Sequence, residues 1–484
     1  MIDLGMVLEG ILSWLWANKL ALAGWIVALI AFVVVPFRRP PAEARNWLLI
    51  FLALPWVAAL IYWMIGRPHY AKHRQRRYDD LPEILDRIFQ QTGLEQADAS
   101  ARLCTDNRSV ANLARGLGQF GAVDGNRIEL LSDYHATFDR IIADIDRAQH
   151  HVHVQFYIFR NDRVGDRLMA ALERASARGV RCRLLIDALG SYGSVASIKR
   201  RMQAAGVAVH DILPLRRRLT SSRVDLRNHR KIVVVDAQVA YTGSQNVWAP
   251  DDHGRKANRD FMVRVTGPLT VQLQTIFVCD WYLETLEDLA DALLFPWIEP
   301  GDGLAAQLIA TGPDNPVGGM DLIVAQAMHN AEEEIVIVTP YFVPNDAVLA
   351  AMRGAVLRGV RVNLITAAKS DHWLAGLAQR SYYEELLSFG ARIHLFGPEF
   401  LHAKHCRVDR EVSILGSSNM DVRSFELNAE CDLLCYDPAF ATDLERLERQ
   451  YLERSTCLSE DSWQRRPLLH KVLENTARMM SDLI

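Results

Sequence analysis

Twice in its 484 residues the chain sets out the same polar constellation at the same spacing. "RNHRKIVVVDAQVAYTGSQN" runs from Arg227 to Asn246, and "LHAKHCRVDREVSILGSSN" begins at Leu401. His229, Lys231, Asp236, Gly243, Ser244 and Asn246 in the first are matched by His402, Lys404, Asp409, Gly416, Ser417 and Asn419 in the second. Duplication repeats structural residues too, and a single His-x-Lys in a strand is usually a surface pair. Here the histidine, lysine, serine and asparagine all persist while their neighbours differ. That pattern constrains the chain to two copies of one fold that build one site from two halves.

Smaller echoes follow in the same order. "FYIFRND" at Phe156 answers "PYFVPND" at Pro340, and "ARGVR" at Ala177 answers "LRGVR" at Leu357. "AGVAVHDILP" at Ala205 answers "FGARIHLFGP" at Phe389. "HVHVQFYIF" reads as a strand, "GDRLMAALERASARG" as an amphipathic helix ending at Gly179, and "VRCRLLID" as a buried strand. The second half repeats this with "EEEIVIVTPYFV", "DAVLAAMRGAVLRG" and "VRVNLIT". The reading is a duplicated α/β architecture, with copies over 100–290 and 291–484, preceded by a basic linker and amphipathic helix over 67–99.

The residue types suit phosphate chemistry. Residues i and i+2 of a strand share a face, so His229 with Lys231, and His402 with Lys404, point together. Two lysines and two asparagines converging on one point would hold a tetrahedral anion. A lysine about 4 Å from a phosphate charge gains about 4 kcal/mol at an effective dielectric near 20. A phosphodiester transfer needs one group to attack phosphorus and another to protonate the leaving oxygen, and two imidazoles can divide that work. Ser244, Asn246, Ser417 and Asn419 offer donors for phosphate. Each histidine needs a carboxylate on its second nitrogen, and Asp260 in "NRD" and Glu430 in "NAE" are the candidates. Asp236 and Asp409 are counted with the catalytic motif, although their place at the far end of the strand suits bracing a turn.

The N-terminus differs in kind. Leu20–Phe37 and Trp47–Ile65 carry no charge, and each approaches the roughly 20 apolar residues that cross a bilayer. They are read as two transmembrane helices (about 20–37 and 47–65) of an anchor over residues 1–66, with residues 1–16 as a short interfacial helix. Arg67, Lys72, Arg74, Arg76 and Arg77 follow the second span, which favours cytoplasmic catalytic domains. The net charge of −4 argues against a general nucleic-acid binder. Seven scattered cysteines are read as reduced, mostly buried thiols. "HHVH" at His150–His153 reads as a strand start rather than a metal site, and "RRR" at Arg216–Arg218 as a solvated turn or a lipid-headgroup contact.

With both motifs placed, the chain resembles the phospholipase D superfamily, whose signature is His-x-Lys-x4-Asp followed by Gly-Ser-x-Asn, present twice. The two apolar spans, "FYIFRND", "RNHRKIVVVD" and "SFELNAE" make it similar, more narrowly, to bacterial cardiolipin synthases. The resemblance implies two phospholipase D-like domains, each a mixed sheet flanked by helices, in a pseudo-twofold arrangement around a shared site. It implies a phosphohistidine intermediate, with His229 as nucleophile and His402 as acid/base. Lys231, Asn246, Lys404 and Asn419 would bind phosphate, and Asp260 and Glu430 would orient the histidines across the interface. It further implies phosphatidylglycerol as substrate, a bacterial inner-membrane location, and no cofactor or metal. Hydrolysis to phosphatidic acid and transfer from another head-group donor share every catalytic residue with this reading. A nuclease or a catalytically dead membrane scaffold fits less well.

Overall fold

A computed structural model describes residues 19–479, apart from 40, 67–71, 93, 95–97, 119, 215–222, 224, 250–257, 291–293, 297–301 and 314–318. The helix expected over residues 1–16 and the Arg216–Arg218 run lie outside the described residues. The chain forms two compact units, one of residues 1–71 with 216–225, the other spanning almost all of the rest.

In the first unit, helices Lys19–Val34, Pro41–Ala53 and Pro55–Ile65 pack around Ala31, Val35, Ala44, Trp47, Phe51 and Ala58. Tyr62 sets its ring edge-on to Trp47 at 5.0 Å. Arg39 joins Glu43 at 2.7 Å and reaches the carbonyl of Gly66. The unbroken span expected at 47–65 is divided instead. Pro55 lacks an N–H, and Leu54 before it leaves the helical region at φ −142°. Among the described residues no helix is long and apolar enough to cross a membrane. All three helices expose apolar side chains, among them Trp25, Leu29, Phe32, Leu52, Trp56 and Leu60.

The second unit is built on one sixteen-stranded sheet. Its first half contains β1 (Val123–Leu131), β2 (His151–Phe156), β3 (Arg181–Asp187), β4 (Ala208–Ile212), β5 (Arg227–Asn228), β6 (Ile232–Val235), β7 (Val239–Gly243) and β8 (Met262–Thr266). Its second half contains β9 (Leu304–Thr311), β10 (Glu334–Val338), β11 (Phe342–Val343), β12 (Arg361–Ala367), β13 (Arg392–Phe396), β14 (His405–Val408), β15 (Val412–Gly416), β16 (Met420–Asp421), β17 (Asn428–Cys435) and β18 (Ser455–Cys457). The strands lie in the order β4-β3-β2-β6-β7-β8-β1-β9-β17-β15-β14-β10-β12-β13-β18, with β5 pairing β17; β11 and β16 form a separate pair.

The second half is therefore the first read outward from the antiparallel β1–β9 seam. Parallel β2, β3 and β4 answer parallel β10, β12 and β13. Antiparallel β6 and β7 answer β14 and β15. Local rules explain the elements. Asp162 caps helix Arg163–Ala177, accepting from the N–H groups of Val164 and Gly165, and Asn345 caps helix Asp346–Leu357, accepting from that of Val348. The run Ile232–Val235 is buried throughout, as a central strand requires.

Sequence order misplaces one segment. Val110, Ala111, Ala114 and Leu117 of helix Thr105–Gly118, within the stretch assigned to the first copy, belong to the second half's core with Ile323, Val324 and Ile337. All seven cysteines are free, and five are buried, Cys431 and Cys435 among them.

Asp236 and Asp409 turn out to brace strand ends. Each stands in a left-handed turn, φ +52° and +51°. The Asp236 carboxylate accepts from the N–H groups of Gln149, His150 and His151 at 2.8 Å each. Asp409 does the same for Glu332, Glu333 and Glu334. Each aspartate thus closes the start of the strand that its own strand pairs with, β2 or β10. At ~3.4 Å per residue, it stands about 17 Å of strand away from the motif lysine. Asp236→Ala or Asp409→Ala should cost about 1 kcal/mol by removing the shared acceptor of three strand-end N–H groups, read as a lowered thermal midpoint. The folded fraction should keep its turnover number. Lost turnover at an unchanged midpoint would instead give these residues a part in the reaction.

Candidate active site

The site forms where the two motifs exchange partners. β5, just ahead of His229, pairs parallel with the start of β17 from the other half, and the His229 N–H donates to the Ala429 carbonyl at 2.8 Å. The mirror contact brings Leu401 beside Arg259, and the N–H groups of His402 and Ala403 both donate to the Arg259 carbonyl at 2.8 Å. Each His-x-Lys segment is thereby laid against the carboxylate-bearing segment of the opposite copy.

The side chains follow the backbone. His229 Nδ1 lies 2.9 Å from Glu430 Oε2 and 3.1 Å from the Ser417 carbonyl. His402 Nδ1 lies 2.7 Å from Asp260 Oδ1. A carboxylate at Nδ1 places the ring proton there and leaves Nε2 with the lone pair. Ser244 Oγ donates to Asp260 at 2.6 Å and accepts the Phe261 N–H at 3.1 Å. Ser417 Oγ donates to Glu430 at 2.5 Å and accepts the Cys431 N–H at 2.9 Å. The serines therefore hold the orienting carboxylates, and their hydroxyl protons are not directed at a phosphate as the sequence suggested. The motif glycines make this approach possible. A Cβ on Gly243 would fall 2.5 Å from the Phe261 carbonyl oxygen, and one on Gly416 would fall 2.4 Å from that of Cys431.

Lys231 and Lys404 come together in the same place, both fully buried. Lys404 Nζ donates to the His402 carbonyl at 2.6 Å, and Lys231 Nζ to that of His229. The Lys231 ammonium also lies 5.4 Å from the centre of the Tyr157 ring. Asn246 Oδ1 accepts the Ile158 N–H at 3.2 Å. Asn419 Oδ1 is buried with no hydrogen-bond partner among the described residues.

Burial dominates the electrostatics. Desolvation, reinforced by the Lys231, Lys404 and His402 charges, holds His229 well below the usual imidazole range. His402 is lowered as well, again first by desolvation, but the Asp260 charge opposes the shift. Burial would raise Asp260, yet the His402 charge and hydrogen bond prevail and keep it below the ordinary carboxylate range. Glu430 is pushed by burial up to about 7. Desolvation brings Lys231 down to about 7 and Lys404 to about 8. Two buried cations that repel each other, beside two imidazoles, make a place where a phosphate would relieve both lysines at once.

Some parts of the site were not read from sequence. The Tyr157 ring stands edge-on to His229 at 4.8 Å. Phe400 lies 5.9 Å from His402, and Tyr341 lies 6.4 Å from Phe400. The matched "FYIFRND" and "PYFVPND" segments held the signal for the two tyrosines. Buried Arg230 ties the halves by donating to the Glu430 and Thr311 carbonyls at 3.0 Å and to Asp280 at 2.6 Å. Asp432 accepts the Ser418 N–H at 3.0 Å and so fixes the turn between Ser417 and Asn419. His151 and His153 are core residues, with His153 stacked on Phe277 at 4.4 Å.

Residues 141–281 and 324–451 match the family described as cardiolipin synthase, PLD-like domain. The chain belongs to this family. Cardiolipin synthase A of Pectobacterium atrosepticum is 32% identical, with 98% of this chain and 99% of that protein covered. Cardiolipin synthase A of Yersinia pseudotuberculosis is 33% identical, with 95% and 96% covered. The crystal structure of phosphatidylserine synthase from Haemophilus influenzae shares the fold, with a TM-score of 0.59 and 15% identity over 78% of this chain and 98% of that one.

Within this cardiolipin synthase family site, Asp260→Asn and Glu430→Gln should each lower turnover by about 10²-fold or more, since each replaces the carboxylate at a motif imidazole's Nδ1 with a neutral amide whose NH2 can face the ring and favour the wrong tautomer. Ser417→Ala should cost about tenfold, the scale of one hydrogen bond to a charged group. Steady-state rates checked against unchanged unfolding midpoints would test this; rates equal to the parent's would exclude the orienting role.

Proposed function

We propose that the protein is a membrane phosphatidyltransferase that joins two phosphatidylglycerol molecules into cardiolipin and releases glycerol. The observation that carries this reading is the reciprocal pairing of each motif histidine with a carboxylate of the other half, beside two buried lysines. The names of the near-full-length relatives support the choice of lipid.

In the first step His229 Nε2 attacks the phosphorus of one phosphatidylglycerol. A P–N bond forms, the P–O bond to the head-group glycerol breaks, and His402, protonated, gives its proton to the departing oxygen. In the second step the terminal hydroxyl of another phosphatidylglycerol passes its proton to His402 and attacks phosphorus. A new P–O bond forms, the P–N bond breaks, and cardiolipin leaves with both histidines restored. The asymmetry of the partners supports these roles. His229, surrounded by Lys231, Lys404 and His402, is kept neutral and nucleophilic, whereas His402 sits on the carboxylate held ionised. Lys231 and Lys404 would neutralise the phosphate. Asn246 and Asn419 would add amide donors; Asn246 engages its oxygen with Ile158 and so leaves its NH2 group for the ligand. No step is routed through a metal, cofactor or nucleic acid.

Exposed apolar side chains on the three N-terminal helices support attachment of residues 1–66 to a bilayer, followed by a linker over 67–99 and catalytic domains over 100–290 and 291–484. The basic residues Arg74, Arg76 and Arg77 favour the cytoplasmic side of an inner membrane. Anchoring next to lipid also raises the effective concentration of the phosphatidylglycerol hydroxyl, which favours transfer over hydrolysis.

The test is the full chain in vesicles of phosphatidylglycerol alone, with chelator and without nucleotide. Cardiolipin and glycerol should appear in equal amounts, and added glycerol should reverse the reaction. Predominant phosphatidic acid would establish the hydrolase instead. His229→Ala and His402→Ala should each remove activity by ~10³-fold or more.

The lysines set a pH dependence. An ammonium with a lowered pKa is cationic below that value and neutral above it. With Lys231 at about 7 and Lys404 at about 8, kcat/KM should fall as pH rises through 7 to 8. Bound phosphate stabilises both cations, so kcat should fall only at higher pH. A kcat/KM that climbs through this window would remove the lysines from substrate capture.

A further inference from the structure

Beyond residue 65, the exposed large apolar side chains of the described residues include just two aromatics, Tyr192 at 67% and Trp373 at 73% exposure. One comes from each half. Tyr192 lies in the loop after β3, and Trp373 follows β12, the strand that answers β3 across the pseudo-twofold. Each is adjacent in sequence to a residue that contacts Tyr157 or Tyr341. Ser191, adjacent to Tyr192, donates to the carbonyl of Tyr157, the residue edge-on to His229. His372, adjacent to Trp373, lies 5.8 Å from the Tyr341 ring, which leads through Phe400 to His402. Each aromatic thus stands one residue from a group that contacts the wall of the site, one wall from each half.

Nothing in the reaction requires exposed rings there, and leaving them in water is unfavourable. We infer that Tyr192 and Trp373 form a docking rim that seats the mouth of the active site on a phospholipid bilayer surface, their rings entering the headgroup level. Tryptophan and tyrosine prefer that level because one edge is apolar and the other hydrogen-bonds. Charge complements the assignment. Arg227 and Arg423, one from each half, both act electrostatically on Tyr157, and Lys369 is exposed on the Trp373 loop. The acid of that loop, Asp371, is engaged by the Tyr341 hydroxyl. Arg160 donates to the Tyr192 carbonyl at 2.6 Å, so the loop is held from its backbone and the ring stays outward. The inference rests on the reading that the substrate is a membrane phospholipid.

Two measurements on the full chain test it. In phosphatidylglycerol vesicles the double variant Tyr192→Ser/Trp373→Ser should make cardiolipin roughly tenfold more slowly, the scale of withdrawing two partly buried rings from lipid. On a short-chain phosphatidylglycerol dispersed as monomers it should match the parent. Equal loss on both substrates, or no loss in vesicles, overturns the docking rim. The second measurement needs no turnover. Brominated phosphatidylglycerol should quench a larger fraction of tryptophan emission in the parent than in Trp373→Phe, and equal fractions overturn the assignment. A parent that forms no cardiolipin from either substrate refutes the functional reading, and the quenching comparison then decides the docking rim alone.

Discussion

The exchange of partners between His229 with Glu430 and His402 with Asp260 is the contact on which the rest of the site depends. A buried carboxylate is tolerated only where hydrogen bonds and opposite charge replace water. Each copy supplies a serine donor to its own carboxylate, but the imidazole that faces it comes from the other. Separating the halves would strip each imidazole of its carboxylate and leave each acid with only the hydroxyl or amide donors of its own half. The β5–β17 pairing, the Leu401–Arg259 bridge and the Arg230 contacts to Glu430 and Thr311 fix the same register through the backbone. The continuous sheet across the β1–β9 seam then serves as the frame for a chemical junction between the copies.

Pseudo-symmetry in the fold does not carry through to the electrostatics. Asp260 stays ionised beside His402, while burial brings Glu430 near neutrality beside His229. Asp432 stands in the second half where the matching position of the first is Met262, and it adds an acid close enough to act on Lys231. Two rings with the same motif are both shifted toward the neutral form, but for His402 the shift is opposed by the ionised Asp260, and His229 is lowered further by the charges around it. The buried lysines lie between them at a cost in stability that a bound phosphate would offset, an arrangement common where a site is organised for a ligand and not for the free protein.

The duplicated motif made much of this readable in advance. Strand, helix, strand and Gly-turn order follow from local rules, and the second copy checks the first. That Asp260 and Glu430 orient the histidines could be anticipated because a histidine at such a site needs a carboxylate, and each copy offers one at a matching distance along the chain; their exchange between the copies was implied only by the family resemblance. The serines were harder. A hydroxyl beside Gly243 or Gly416 can serve a phosphate or a neighbouring acid, and only the close β7–β8 and β15–β17 crossings turn it toward Asp260 and Glu430. Asp236 and Asp409 belong to the motif, but their spacing already suited bracing a turn, and strand geometry carries them to the far ends of β6 and β14.

The sequence by itself determined the duplication, the residue types of the site and the strand periodicity that aims His and Lys to one face, because these depend on spacing along the chain. It did not determine which core a segment enters. Helix Thr105–Gly118 lies in the stretch assigned to the first copy yet fills the core of the second, since apolar side chains are satisfied by any matching surface the topology brings near. Nor did it determine that the apolar stretch at 47–65 breaks at Leu54, or that Tyr157 and Phe400 wall the two histidines. Those outcomes belong to tertiary structure, because burial, charge state and hydrogen-bond direction are properties of neighbours brought together from distant parts of the chain.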